Sequence, residues 1–248
     1  MRPRTAGPMT FCGIPITETH SFPPPATAQC WAYLTLNAEI ALSHPYSEAL
    51  QALLRSQRAR VSVDGQWVWW ALQRKYPEGL LRKLSGSDLI HQIAAHSARH
   101  GQRLLLLGAS ARSNLLAVHG LRQRWPMLDV AGFSPPQHAP GSEGERLAHA
   151  ESLRAIRAFR ADHVVLGLGA EKEFRLANAM LVELDGQVIG LYCFGGAIDL
   201  ASGLVRRAPP AWQRLGLEGL YRVLQQPSRL RRLLGVMRLL PLLMKGHY

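Results

Sequence analysis

The chain of 248 residues is 47% hydrophobic and carries 29 lysines and arginines against 17 acids, a net charge of +12. That is enough for one well-buried domain with at most an appendage, and the charge favours phosphate-rich ligands or anionic lipid over cationic partners. Three scattered cysteines, Cys12, Cys30 and Cys193, form no CxxC pair, which argues against a disulfide framework or a thiolate metal site and points to a reducing compartment.

Residues 1–25 hold two arginines and no continuous apolar stretch, and Pro23-Pro24-Pro25 interrupts them. They read as an N-terminal arm, not a signal peptide. From Trp31 onward short apolar runs alternate with helical patterns. Strands are predicted at 32–36, 60–63, 103–107, 128–131, 163–168 and 187–194, and helices at 46–57, 66–76, 87–100, 111–124, 145–160 and 171–180. This order predicts an α/β fold, a mostly parallel sheet with helices on both faces, over a core of 26–205. The unbroken run Leu104-Leu105-Leu106-Leu107 fits a strand covered on both sides.

Right-handed crossovers put the carboxyl ends of such strands on one edge, where ligands bind. Those ends read Thr35-Leu36-Asn37, Asp64-Gly65, Gly108-Ala109-Ser110, Gly132, Gly167-Leu168-Gly169 and Gly195-Gly196, with Asp199 close behind. Glycine lets the backbone approach a ligand, and a following helix N-terminus offers free N–H groups to phosphate. The recurrence implies a nucleotide-like ligand, although no Walker A or GxGxxG fingerprint is present. Residues 134–144, with Pro135, Pro136, Pro140 and Gly141, read as a flexible loop able to cover the site.

The last segment, 206–248, holds nine lysines and arginines, one acid (Glu218) and many leucines. The blocks of Leu, Val and Met in 227–244, broken by Arg231, Arg232 and Arg238, form a pattern for a helix at a bilayer interface. The segment is too short and too charged to span a membrane. The alternatives are an amphipathic helix packed on its own domain, or a surface for self-association into a homo-oligomer.

Asp64 follows a strand pattern and precedes a helix, so it reads either as a general base or as that helix's N-cap. Asp88 reads as a helix-dipole partner behind Ser85 or Ser87. His96 and His100 offer at most two ligands, with His91 off their face, and no Asp-x-Asp pair is present to hold Mg²⁺ or Mn²⁺, so no metal is expected. A bound diphosphate then requires cationic side chains, and Arg206, Arg207, Arg222 and Lys83 are the candidates. Trp67, Trp69 and Trp70 either stack on a base or sugar or fill core volume.

The ordered set Thr35-Leu36-Asn37-Ala38-Glu39, Val63-Asp64-Gly65, Ser85-Gly86-Ser87-Asp88-Leu89, Leu107-Gly108, Gly167-Leu168-Gly169-Ala170, Gly195-Gly196-Ala197-Ile198-Asp199 and Arg207-Ala208-Pro209 resembles the WecG/TagA/CpsF family of bacterial glycosyltransferases. The resemblance continues through Leu217-Glu218-Gly219-Leu220-Tyr221-Arg222 and Gln226-Pro227-Ser228-Arg229-Leu230. It implies a Rossmann-like fold of the GT-E type with a helical C-terminal appendage (206–248) that closes the active site and meets the membrane. It also implies an inverting, metal-independent enzyme without cofactor. Such an enzyme moves a sugar from a UDP-sugar to a polyprenyl-diphosphate-linked sugar, peripherally on the cytoplasmic face of the membrane, early in building a surface polysaccharide.

By the same resemblance Asp64 is the base, Thr35 and Asn37 line the donor sugar pocket, and Asp199 lies near the nucleotide. Gly65, Gly108 and Gly169 belong to the substrate-binding turns, and Arg206, Arg207 and Arg222 hold phosphates. Lys83 stands where the family usually has arginine. Glu171-Lys172-Glu173-Phe174 departs from the family's Pro-x-Gln-Glu, which puts the carboxylate of Glu173 where an amide would meet the donor. Gly219 replaces a usual tryptophan. The rival reading is a non-catalytic nucleotide- or RNA-binding or scaffold protein of the same architecture. The basic charge sits in a leucine-rich tail without a stacking platform for bases, which speaks against nucleic acid as partner.

Overall fold

The computed structural model describes residues 9–18, 22–24, 28–77 and 81–239. A small antiparallel hairpin of β1 (Thr10–Phe11) and β2 (Ile14–Pro15) precedes six longer strands. These are β3 (Trp31–Leu36), β4 (Ala59–Val63), β5 (Arg103–Gly108), β6 (Asp129–Phe133), β7 (His163–Gly167) and β8 (Gly190–Cys193). They form one sheet in the order β4-β3-β8-β7-β5-β6, with every neighbouring pair parallel. All six strands predicted from the sequence are therefore present, in a Rossmann-like arrangement.

The helices are α1 (Ala38–Ser43), α2 (Glu48–Arg55), α3 (Gln66–Lys75), α4 (Gly86–His100), α5 (Ala111–Arg124), α6 (Glu143–Phe159), α7 (Ala170–Glu183) and α8 (Ala197–Ala201). After them come the tail helices α9 (Pro210–Arg214), α10 (Glu218–Gln225), a 3₁₀ turn (Pro227–Arg229) and α11 (Leu230–Val236). The helix predicted at 46–57 is α2, and α1 is an additional short helix before it. Asn37 caps α1 and Ser47 caps α2, each through its side-chain oxygen, and Pro45 between them has no N–H to continue a helix.

Covering both faces explains the unbroken apolar strands. Ala32, Leu34 and Leu36 point into one core with α2, α3 and α7, while Trp31 and Tyr33 point into the other with α4 and α5. Leu105 and Leu107 divide from Leu104 and Leu106 in the same way, as the two-residue period of a strand requires. The hairpin joins the first of these cores through Phe11 and Ile14, so part of the N-terminal arm belongs to the domain. Both sheet edges are capped. Thr17 and Glu18 donate their N–H groups to the Val61 carbonyl and the Thr17 hydroxyl accepts the Val61 N–H, while on the far edge the Arg122 guanidinium binds the Val130 carbonyl.

The loop at 134–144 is tied down near its end, at Gly141. Glu145 accepts the Gly141 N–H at 2.7 Å and is held by Arg175 through two nitrogens at 2.7 Å each. The salt-bridged pair fastens the loop to α6 and α7, and the guanidinium holds the Glu145 carboxyl down at about 2. Gly108 is also structural. At φ +113°, a side chain there would place Cβ 2.7 Å from the Gly167 backbone. Gly108→Ala is expected to cost about 2 to 4 kcal/mol through backbone strain and overpacking, read as a lower midpoint in urea denaturation.

Candidate active site

A cavity of about 450 Å³ opens beyond the carboxyl ends of β3, β4, β7 and β8. Thr35 and Asn37 line it from β3, Asp64 and Gly65 from β4, Gly169 and Glu173 from the start of α7, and Gly195, Gly196 and Asp199 from the β8 side. The parallel sheet thus brings together residues separated by up to 164 positions, Thr35 to Asp199.

Asp64 is half-buried. Burial, and after it the charge of Glu218 on the same cavity wall, push its carboxyl up from an ordinary value of 3.8 to about 6. The Gly65 N–H at 2.6 Å, the Ser85 hydroxyl and the Lys83 charge act against that rise. Asp64 is not the N-cap of α3. That position belongs to Gly65 at φ +82°, which accepts no side-chain cap. The carboxylate is therefore aimed at the cavity, ionised at neutral pH and more basic than an exposed aspartate.

The tail supplies the remaining wall through Gly216, Glu218, Gly219, Arg222, Arg229 and Leu233. Three contacts hold it there. The Trp67 indole N–H donates to the Gly216 carbonyl at 2.9 Å, Arg207 forms an ion pair with Asp88 at the start of α4, and Leu239 is 1% exposed in the core. Such burial of one leucine contributes about 2 kcal/mol. Leu233 lies over Gly219, where a Cβ would meet its Cδ1 at 3.3 Å, so this leucine occupies space beside the position of the family's tryptophan.

Arg222 rests against Gly196, where a Cβ would lie 2.8 Å from its Nη2. Its Nε and Nη2 are buried without a hydrogen-bond partner among the described residues. A buried guanidinium with unused donors is costly unless an anionic group meets it. The other predicted cations do not line the cavity. Arg207 is committed to Asp88, Arg206 is exposed with its backbone tied to Gln225, and Lys83 donates to Gln66 at 2.9 Å while acting on Asp64 by its charge. Gly108 sits behind the wall, as the fold requires.

Glu173 is 2% exposed, and its oxygens are taken by backbone N–H groups of the turns beside it. Burial pushes its carboxyl up to about 7. Glu171 accepts from the Ser47 hydroxyl and Phe174 is in the core, so the departure Glu171-Lys172-Glu173-Phe174 is built into the fold. Sequence reasoning missed the Trp67 clasp and the cavity positions of Glu218 and Arg229. The signal for Glu218 was present, as the lone acid of the tail one helical turn before Arg222. Among the described residues no three His, Cys, Asp or Glu side chains converge as a metal site.

A shared cavity with a carboxylate on the sheet and a buried guanidinium on the tail suits group transfer to or from a substrate with an anionic part. The sequence profile of the Glycosyl transferase WecG/TagA/CpsF family matches residues 26–247. The chain belongs to that family, of glycosyltransferases in surface polysaccharide biosynthesis.

The raised carboxyl of Asp64 has a stability consequence. The folded chain holds this proton more tightly than the unfolded chain, so ionisation costs stability progressively as pH rises from about 4 to about 6, and the cost is fully present above that. Asp64→Asn is expected to stabilise the protein at pH 8 by on the order of 2 kcal/mol, with the gain shrinking toward pH 4. Urea denaturation at the two pH values checks this.

Proposed function

We propose that the protein is an inverting, metal-independent glycosyltransferase. It moves a sugar from a UDP-sugar to a polyprenyl-diphosphate-linked sugar on the inner face of the cell membrane. The observation that carries this reading is the basic, half-buried Asp64 in one cavity with the unpartnered Arg222. Asp64 takes the proton from the acceptor hydroxyl as its oxygen attacks the anomeric carbon from the face opposite the diphosphate. The carbon–oxygen bond to the diphosphate breaks, and its electron pair leaves on UDP. Arg222 balances the charge that develops there. Thr35, Asn37 and Asp199 offer hydroxyl, amide and carboxylate groups to sugar and ribose hydroxyls.

The acceptor's lipid explains the outer face of the tail. Leu224 is 68% exposed, and Leu220, Leu230, Leu234 and Met237 are exposed beside Arg214, Arg231 and Arg238. Apolar side chains in reach of cations suit an anionic bilayer surface, and among the described residues no helix is long and apolar enough to cross a membrane. The part of the expected interfacial helix at 240–244 lies outside the described residues.

Asp64→Asn is expected to bind UDP within about twofold of the parent and to lower transfer at least about a thousandfold, the scale of losing a positioned base. Transfer to a short-chain prenyl-diphosphate glycoside from a panel of UDP-sugars, followed by mass, checks it, and full turnover would remove Asp64 from the mechanism. A Leu224→Ser/Leu234→Ser double variant is expected to lose about tenfold or more in binding to anionic vesicles while binding UDP normally. Unchanged vesicle binding would sever the tail from the membrane.

A further inference from the structure

Glu173 stands in the first turn of α7 but points beneath two turns instead of out of the helix. Its Oε1 accepts the N–H groups of Leu168 and Gly169, each at 2.9 Å, and its Oε2 accepts the Gly195 N–H at 3.2 Å. One carboxylate therefore ties the turn after β7 to the turn after β8. Gly195 adopts φ +57°, and the next residue is Gly196, the one against which the Arg222 guanidinium rests. A continuous line of contacts runs from Glu173 through Gly195 and Gly196 to Arg222.

We propose that Glu173 is a positioning residue for the transfer reaction: by tying the two glycine turns together it fixes the seat of the Arg222 guanidinium, and so sets affinity for the nucleoside diphosphate without touching it. This rests on the reading that Arg222 meets a diphosphate in the cavity. The carboxylate is specifically suited to the task because three donors converge on it from two sides. A glutamine offers one oxygen, and its NH₂ would oppose an N–H wherever it was turned. Keeping the oxygen toward Leu168 and Gly169 would set that NH₂ against Gly195 and release the turn that seats Arg222. Glu39 and the neutral Cys193 thiol face the carboxylate and give it no countercharge, so the backbone N–H groups hold it.

The test measures UDP binding to the full chain by calorimetry at pH 8, where Glu173 is ionised, in the parent, Glu173→Gln, Arg222→Ala and the double variant. Glu173→Gln is expected to weaken UDP about tenfold, the scale of misplacing a charge-assisted hydrogen bond. In the Arg222→Ala background it is expected to have no further effect beyond about twofold, because its influence passes through that side chain. Gly196→Ala, whose backbone at φ −78° accepts alanine, is expected to reproduce the loss by pushing Arg222 aside. In transfer assays Glu173→Gln is expected to raise KM for the donor more than it lowers kcat. The proposal is overturned if Glu173→Gln binds UDP like the parent, or if it weakens the Arg222→Ala variant as much as it weakens the parent, the mark of a general packing role. Failure of the parent itself to bind UDP would instead overturn the diphosphate reading beneath it.

Discussion

Desolvation of Asp64 is the constraint on which the rest of this structure depends. Burial is the largest cause of its carboxyl standing at about 6, and that burial takes two walls. The parallel sheet makes one, by sending the carboxyl ends of β3, β4, β7 and β8 to a single edge. The tail makes the other, and without it Asp64 would face solvent with the ordinary basicity of an aspartate. Folding of residues 206–239 onto the sheet and the raised carboxyl of Asp64 are therefore one event seen from two sides.

The tail has opposing duties, and its sequence divides them by helix face. Glu218, Arg222, Arg229 and Leu233 look inward, while Leu220, Leu224, Leu234 and Met237 stay outside. Arg207 shows how tightly the inward set is chosen. It lies in the same basic segment as Arg222, yet its partner is Asp88, so it fastens the tail and leaves the cavity to its neighbour. A buried guanidinium without a partner is destabilising.

Much of this was legible in the sequence, for reasons the residues make plain. Strands such as Leu104 to Leu107 announce themselves because both faces are buried, and Asp64-Gly65 and Gly167-Leu168-Gly169 mark strand ends because only glycine tolerates those turns. The helix at 46–57 was legible, whereas α1, only the six residues Ala38–Ser43, is too short to show a helical period. The loop at 134–144 looked free because its composition hides Glu145 and Arg175, which lie outside it and pin it. Which of several tail arginines turns inward was not legible at all, since charge and spacing alone do not distinguish a cation bound to Asp88 from one resting on Gly196.

The capped edges of the sheet carry a consequence for assembly. With the Val61 carbonyl and N–H occupied by Thr17 and Glu18, and the Val130 carbonyl by Arg122, a foreign strand arriving at either border meets groups already engaged. The ladder ends at six rungs, guarded against the edge-to-edge growth that leads to fibres. At these positions pairing of one copy's sheet edge with another's is disfavoured.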